Sequence, residues 1–482
     1  MSRYQPLLFI IAALPLGAQS ITAIRGLAPY QVLQRDANNV ASVRVEGTAL
    51  NWNNKMVEIE VLGTGVRVNA TVTRNNWATE LKGIPTGGPY TVSFKLAGAP
   101  IAYTIANVLV GDLWVLAGQS NMEGVGNLSN LPLPSPMINS FDQTDRWGVA
   151  ADPLHRLPDA ADRVHWRNKD AQGNPRKLEG DELKQWIANR KKGAGVGLPF
   201  ALEMVRRTNV PIGLLPCAHG GTSMDQWSPE LKDKGGDSLY GAMLRRVRAS
   251  GGKVKGVLWY QGESDANDKA APEFLAKFKK LIEEMRADFG QPELPVYYVQ
   301  IGRHASSADA KPWNFVQNAQ LQAESAIPNV GMVTCADCTL DDGIHVSTAD
   351  HRLLGQRLAN LACRDHFPDR AFCGLLKRGP RPVSAKARDG VIYVEFKETN
   401  GRLTAPGRLH GFSVHDADGK LARVIYHQRI SPQQPNVVEL HFGGKLPEGA
   451  VLHYGAGRDP YVNLRDEENM AAPVFGPLPI GN

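Results

Sequence analysis

The sequence predicts an α/β protein: a parallel sheet covered on both faces by helices, with an all-β region before and after it in the chain. Three observations predict this. Apolar runs at residues 108–116, 211–216, 254–260, 296–301 and 330–334 alternate with stretches of helical periodicity, as strand–helix–strand units do. From about residue 21 to 107, and again from about 377, the period shortens to two, with turn residues between short runs. Chemistry-bearing residues follow the ends of the central apolar runs, and ligands bind at the carboxyl edge of an open parallel sheet.

At 482 residues the chain is too long for one compact core, and these changes of pattern divide it into segments 1–20, 21–107, 108–368 and 369–482. The first begins with Arg3 and an apolar run from Leu7 to Leu14, then small residues at Gly17, Ala18 and Ser20. That run is shorter than the roughly 20 residues a membrane span needs, so it reads as a secretory signal peptide. No later run is long enough to span a bilayer, and an exported, soluble mature chain is the expectation.

Alternation is clear in residues 56–61 and 67–72, with turns at Gly63, Gly65, Asn75-Asn76 and Gly87-Gly88-Pro89, which suggests a small β-sandwich. In the central segment the clearest helix is 272–289. There Phe274, Leu275, Phe278, Leu281, Ile282, Met285 and Phe289 recur on one face. A second helix, 348–361, has Ser347 or Thr348 as its cap and Leu353, Leu354, Leu358 and Leu361 as its apolar stripe. Residues 127–195 break the rhythm; this long polar stretch reads as a rim over an active site. Beyond 377, Asp389-Gly390, Asn400-Gly401 and Asp418-Gly419 are hairpin signals.

Hydrophobic content of 43% and charged content of 21% are ordinary for a soluble globular protein. The net charge of +6 is small and dispersed, apart from short clusters such as Arg190-Lys191-Lys192. A basic footprint with a reading motif is missing, so nucleic acid is not an expected partner. Of five cysteines, Cys217 reads as a buried thiol, and Cys363 with Cys373 and Cys335 with Cys338 are the candidate bridges. The single Cys335-x-x-Cys338 has no second pair, so no metal is expected.

The decisive run is Gly118-Gln119-Ser120-Asn121-Met122, directly after the first central strand. Ser120 is placed to act as a nucleophile if a histidine reaches it and an acid orients that histidine. Asp342-Gly343-Ile344-His345 supplies the pair: His345 as general base and acid, Asp342 as its orienter, with Asp341 as the competing acid. Backbone N–H groups of Ser120 and of Gly220 or Gly221, with the Gln261 side-chain amide, are candidates for an oxyanion hole. Substrate-binding candidates are Gln119, Asn121, Glu263, Trp227 and Arg303. Arg146, Arg163 and Arg167 are further cations suited to a sugar carboxylate, and His219 and His304 lie on loops at the same edge.

These blocks resemble the SGNH hydrolase superfamily and, within it, the sialate O-acetylesterase-like carbohydrate esterases. Gly118 to Glu123 resembles the nucleophile block, and Gly220-Gly221-Thr222 followed by Trp227 the glycine block. Trp259 to Asp265 resembles the third block, with glutamine where the wider superfamily has asparagine. Asp342-x-x-His345, leading into Gly355-Gln356-Arg357, resembles the last. Val32 to Asp36 and Gly379-Pro380-Arg381 resemble that branch's flanking β regions. One departure is Val346, where many members carry a proline after the histidine. The resemblance implies a three-layer, flavodoxin-like α/β fold and serine catalysis without cofactor or metal. It also implies release of acetate from acetylated carbohydrate, either sialic acid or plant polysaccharide. The competing readings are a lipid or aryl esterase on the same scaffold, marked by an apolar trough at Ser120, and a carbohydrate-binding protein without activity.

Overall fold

A computed structural model describes residues 20–99 and 102–481; the apolar leader read as a signal peptide lies outside the described residues, save its last residue. The chain divides between Val110 and Gly111 into two compact units. In the first, antiparallel strands Ser20–Arg25, Val40–Leu50 and Asn76–Pro85 form one sheet, and Met56–Val61, Val66–Thr71 and Gly87–Leu96 pair antiparallel beside it in sequence. The alternation that marks these strands has a physical counterpart. Val57, Ile59 and Val61 point into a core with Val45, Leu81 and Phe94, while Glu58 faces solvent.

The second unit is organised on a parallel sheet. Its order is Ile138–Phe141, Ile212–Pro216, the part of Ala102–Gly118 that follows Val110, Gly256–Tyr260, Val296–Gln300, Val330–Thr334, with Trp147–Val149 antiparallel at the outer edge. Five of these strands are buried at every residue, and Ile212–Pro216, Gly256–Tyr260, Val296–Gln300 and Val330–Thr334 read as unbroken apolar runs for that reason. The helix read at 272–289 is Phe274–Asp288, preceded by a turn of 3-10 helix at Ala271–Glu273. The last central helix is Thr348–His366, five residues longer than its stripe indicated. Gly197–Thr208 packs against it, and Lys311–Ala326 packs against Phe274–Asp288.

Two readings need correction. The polar stretch 127–195 is not rim alone: Ile138–Phe141 joins the sheet. It escaped notice because Asn139 and Ser140 interrupt so short a strand. Cys335 and Cys338 are not bridged; Cys335 turns its thiol inward, with Sγ 2.9 Å from the Tyr260 hydroxyl. Cys363 and Cys373 are bonded, and Cys217 is a buried free thiol. Residues 369–482 fall in the same compact unit as the parallel sheet. Arg381 on their eight-stranded sheet meets Glu324 at 2.6 Å, and Arg465, on the short ribbon formed by Leu403–Thr404 and Arg465–Asp466, meets Asp337 at 2.6 Å, where Arg357 also pairs at 2.7 Å. No helix among the described residues is long and apolar enough to cross a membrane.

Candidate active site

The Ala102–Gly118 strand ends at a residue that must be glycine. Gly118 has φ +131°, and a Cβ there would lie 2.1 Å from the Tyr260 carbonyl oxygen. The Gln119 N–H donates to that carbonyl at 2.8 Å, and Ser120 then opens the single-turn helix Ser120–Glu123. This places Ser120 Oγ 2.9 Å from His345 Nε2, a residue 225 positions later. His345 Nδ1 lies 2.9 Å from each oxygen of Asp342. A carboxylate only accepts, so Nδ1 carries the ring proton and Nε2 accepts from the serine hydroxyl. Burial works against a charged Asp342. Hydrogen bonds from Lys192, the His345 ring and the Ile344 and His345 N–H groups outweigh it, holding this carboxyl well below the usual range.

The loop that carries the histidine is held by side chains. Asp341 does not meet the His345 ring: its Oδ2 accepts from the Asn127 N–H at 2.8 Å and the Thr348 N–H at 3.1 Å. Asn121 bridges the nucleophile turn to the loop. Its Oδ1 accepts the Val346 N–H at 3.0 Å, and its Nδ2 donates to Glu263 Oε1 at 2.8 Å. The departure at Val346 thus has a structural use, since a proline has no N–H to give. Ser347 caps the following helix, with Oγ accepting from the Asp350 N–H at 3.2 Å.

The glycine block is held differently. His155 Nε2 accepts from the Ala218 N–H at 3.1 Å. Arg167 donates from Nε to His219 Nε2 at 3.1 Å and from Nη2 to the Gly220 carbonyl at 3.0 Å and Glu123 Oε2 at 3.1 Å. His219 Nδ1 lies 3.2 Å from His165 Nδ1. Burial pushes His155 and His219 down to about 3, with Arg190 and Arg167 respectively adding to it, and burial takes His165 well below its ordinary value. All three are neutral imidazoles near neutral pH. Ser120 and His345 open onto a cleft of about 480 Å³, lined also by Glu123, Arg167, Glu263 and Ser264 and by Val125 and Ile344.

A family profile described as "Carbohydrate esterase, sialic acid-specific acetylesterase" matches residues 110–364, more than half of the chain. The chain belongs to this family. It is a carboxylic ester hydrolase by membership. It is 30% identical over 270 residues to a probable carbohydrate esterase of Arabidopsis thaliana, covering 51% of this chain and 88% of that one. It is 26% identical over 364 residues to human sialate O-acetylesterase, covering 67% of this chain and 66% of that one. In fold it is similar to a crystal structure of a carbohydrate acetylesterase from Xanthomonas citri: TM-score 0.65, 23% identity, 95% of this chain and 99% of that one.

Within this sialic acid-specific acetylesterase family member, several expected site residues have other duties. The Gly220 N–H donates to Glu123 Oε2 at 2.7 Å, so a carboxylate already occupies that expected oxyanion donor. The N–H groups of Ser120 and Gly221, both on the cleft, have no acceptor among the described residues. The Gln261 amide is buried and turned away: Nε2 donates to the Thr222 carbonyl at 3.1 Å and to Asp265 Oδ2 at 2.5 Å. Both its hydrogens are spent, so it is not an oxyanion donor. Trp227 is fully buried, donates to Thr222 Oγ1 at 3.0 Å and packs edge-on to Trp259, so no sugar can stack on it. Arg303 is not among the cleft residues and faces Asp459 at 3.3 Å. Arg146 and Arg163 are not on the cleft either; Arg167 is. Gln119 lines the cleft but accepts the Ser264 N–H at 3.2 Å. Asn121 is buried as a brace, and Glu263 remains on the cleft with Oε2 unpartnered and its carboxyl pushed up by burial.

Two residues that the sequence reading left without a role belong to the site. Glu123 stands inside the nucleophile block, and only its reach across to Gly220 gives it a function. Lys192 was read as part of a charge cluster; in the structure its ammonium donates to Asp342 Oδ2 at 2.6 Å.

Proposed function

We propose that the protein is an exported serine esterase that removes O-acetyl groups from acetylated carbohydrate through an acetyl-enzyme. The observation that carries this reading is the 2.9 Å approach of Ser120 Oγ to His345 Nε2, with Asp342 behind the ring. Ser120 attacks the acetyl carbonyl while His345 takes its proton; His345 then protonates the leaving sugar hydroxyl. Water activated by the same imidazole releases acetate and frees Ser120. Asp342 keeps the ring in the reactive tautomer and stabilises the imidazolium. The Ser120 and Gly221 N–H groups hold the oxyanion, each contributing on the order of 3 kcal/mol to the barrier reduction.

The substrate class is an acetylated sialic acid or an acetylated plant polysaccharide, in keeping with the family and with the charged side chains of Glu123, Arg167 and Glu263 on the cleft. Arg167 is the cation on that cleft which a sugar carboxylate would meet. The catalytic part is residues 108–368, on a three-layer flavodoxin-like sheet, flanked by accessory β regions 21–107 and 369–482. The strand order Ile212–Pro216, Ala102–Gly118, Gly256–Tyr260, Val296–Gln300, Val330–Thr334 supports that layering. Export is supported by the apolar leader and by the Cys363–Cys373 bridge.

The test is acetate release from acetylated sialosides, xylan and pectin by the parent and by Ser120→Ala. The parent is expected to release acetate, and the variant to lose at least about a thousandfold in kcat. Equal turnover by the two proteins would refute the serine mechanism. Faster hydrolysis of long-chain p-nitrophenyl esters than of the acetate would favour a lipid esterase instead.

A further inference from the structure

Asp342 is the one member of the triad that meets a cation. Lys192 lies on the short strand Lys192–Ala194, which pairs antiparallel with Gly126–Asn127 so that Lys192 stands opposite Asn127. Arg190 Nε donates to the Lys192 carbonyl at 2.7 Å and fixes the backbone there. The same ribbon therefore does two things. Through the Asn127 N–H it holds Asp341 at 2.8 Å, and through Lys192 Nζ it reaches Asp342 Oδ2 at 2.6 Å. Asp342 Oδ1 is already engaged by the N–H groups of Ile344 at 3.1 Å and His345 at 3.0 Å. Apart from the imidazole itself, Lys192 is the only partner of Oδ2 among the described residues.

We propose that Lys192 is a positioning residue of the acid–base pair: it orients the Asp342 carboxylate and offsets the charge that carboxylate presents to the His345 ring. The proposal rests on reading Ser120, His345 and Asp342 as the triad. The physical reason is the balance of charge at the ring. A bare carboxylate beside an imidazole favours the imidazolium, and an ammonium on that carboxylate's other oxygen opposes this. A base that protonates too early is lost to catalysis in mildly acid surroundings. The other charged and titratable groups around the ring are few. Glu263 interacts with it from the side of the nucleophile, and Asp341 is engaged by Asn127 and Thr348. Burial pushes His351 down to about 4 and lowers His304 as well, so neither adds charge near neutral pH. Lys192 is thus the cation bonded directly to the pair, half-exposed and free of any role in the core.

The sign of the effect follows. Removing the ammonium favours the protonated ring, so the acidic limb of kcat/KM against pH moves to higher pH. A unit charge a few ångströms from the ring in a partly hydrated site moves it by about 0.5 to 1 pH unit. The experiment measures kcat/KM of the full chain on p-nitrophenyl acetate from pH 4.5 to 8.5, for the parent, Lys192→Met, Lys192→Gln, Lys192→Arg and Ser120→Ala. Met and Gln are expected to raise the acidic limb by that amount, with kcat at the plateau within about tenfold of the parent. Arg is expected to restore the parental limb. An unmoved limb in a folded Met or Gln variant, or a limb that moves to lower pH, overturns the proposal. So does an Arg variant that behaves like Met. If Met fails to fold, Gln decides by the same criterion. If Ser120→Ala retains the parental rate, the triad reading fails and not the role of Lys192, so the two failures are told apart.

Discussion

Two loops flank the nucleophile, and they are built on opposite chemistry. The glycine block at 218–221 leans on neutral histidines: His155 accepts from the Ala218 N–H, and His219 accepts from Arg167 and stacks on His165. The acid–base loop at 341–346 leans on carboxylates: Asp341 accepts from Asn127 and Thr348, and Asp342 accepts from its own loop and from Lys192. Burial depresses the histidines, and hydrogen bonds depress the two aspartates despite burial. The linkage signs then separate the loops. A histidine depressed in the fold stabilises it above its unfolded value of about 6.5 and loses that contribution as pH falls toward the folded value. A depressed aspartate keeps its contribution until pH falls below the ordinary carboxylate value of about 3.9. Mild acid therefore strikes the glycine side first, where three histidines are depressed, against the single buried His351 beside the acid–base loop.

The largest expected effect is that acid response. His155 and His219, each held at about 3, each withdraw on the order of 2–3 kcal/mol between pH 6.5 and 4. Hydrogen exchange at pH 7, 5.5 and 4 is expected to show residues 217–222 losing protection before residues 341–348. His155→Gln, which keeps an acceptor for the Ala218 N–H but cannot titrate, is expected to soften the loss of melting temperature. Loss of protection beginning in the acid–base loop would reverse the comparison.

Next in size is Asp341→Ala. It strands the Asn127 and Thr348 N–H groups, and an unsatisfied buried donor costs about 1–3 kcal/mol. We expect kcat/KM to fall roughly 10- to 100-fold through misplacement of His345, read at pH 8 where histidine titration plays no part. An unchanged rate would mean the loop holds its shape without this carboxylate.

The smallest is Val346→Pro, which removes the N–H bonded to Asn121 Oδ1. A few-fold loss of kcat and about 1 kcal/mol of stability are expected, measured by steady-state kinetics and denaturant titration. A gain in stability would show that the bond between Asn121 and the loop counts for less than the stiffness of proline.

Much of this was legible along the chain. Strands buried on both faces are continuous apolar runs, so residues 212–216, 256–260, 296–300 and 330–334 announced themselves. Ile138–Phe141 did not, because a strand of four residues with Asn139 and Ser140 inside has no such run. Trp227 and Gln261 were mistaken for ligand-facing groups because a motif names residues without saying which way they point.

Residue order alone determined that Ser120 and the Asp342–His345 pair would come to one edge, since parallel strands carry their C-terminal ends to the same side. It also determined a glycine at 118, where backbone meets backbone. What only the tertiary structure decided were the partners that reach across from other elements: Glu123 on the Gly220 N–H, Lys192 on Asp342, Asn121 between Glu263 and Val346. A hydrogen bond depends on distance and direction in space, and neither is encoded by separations of 97, 150 or 225 residues along a chain.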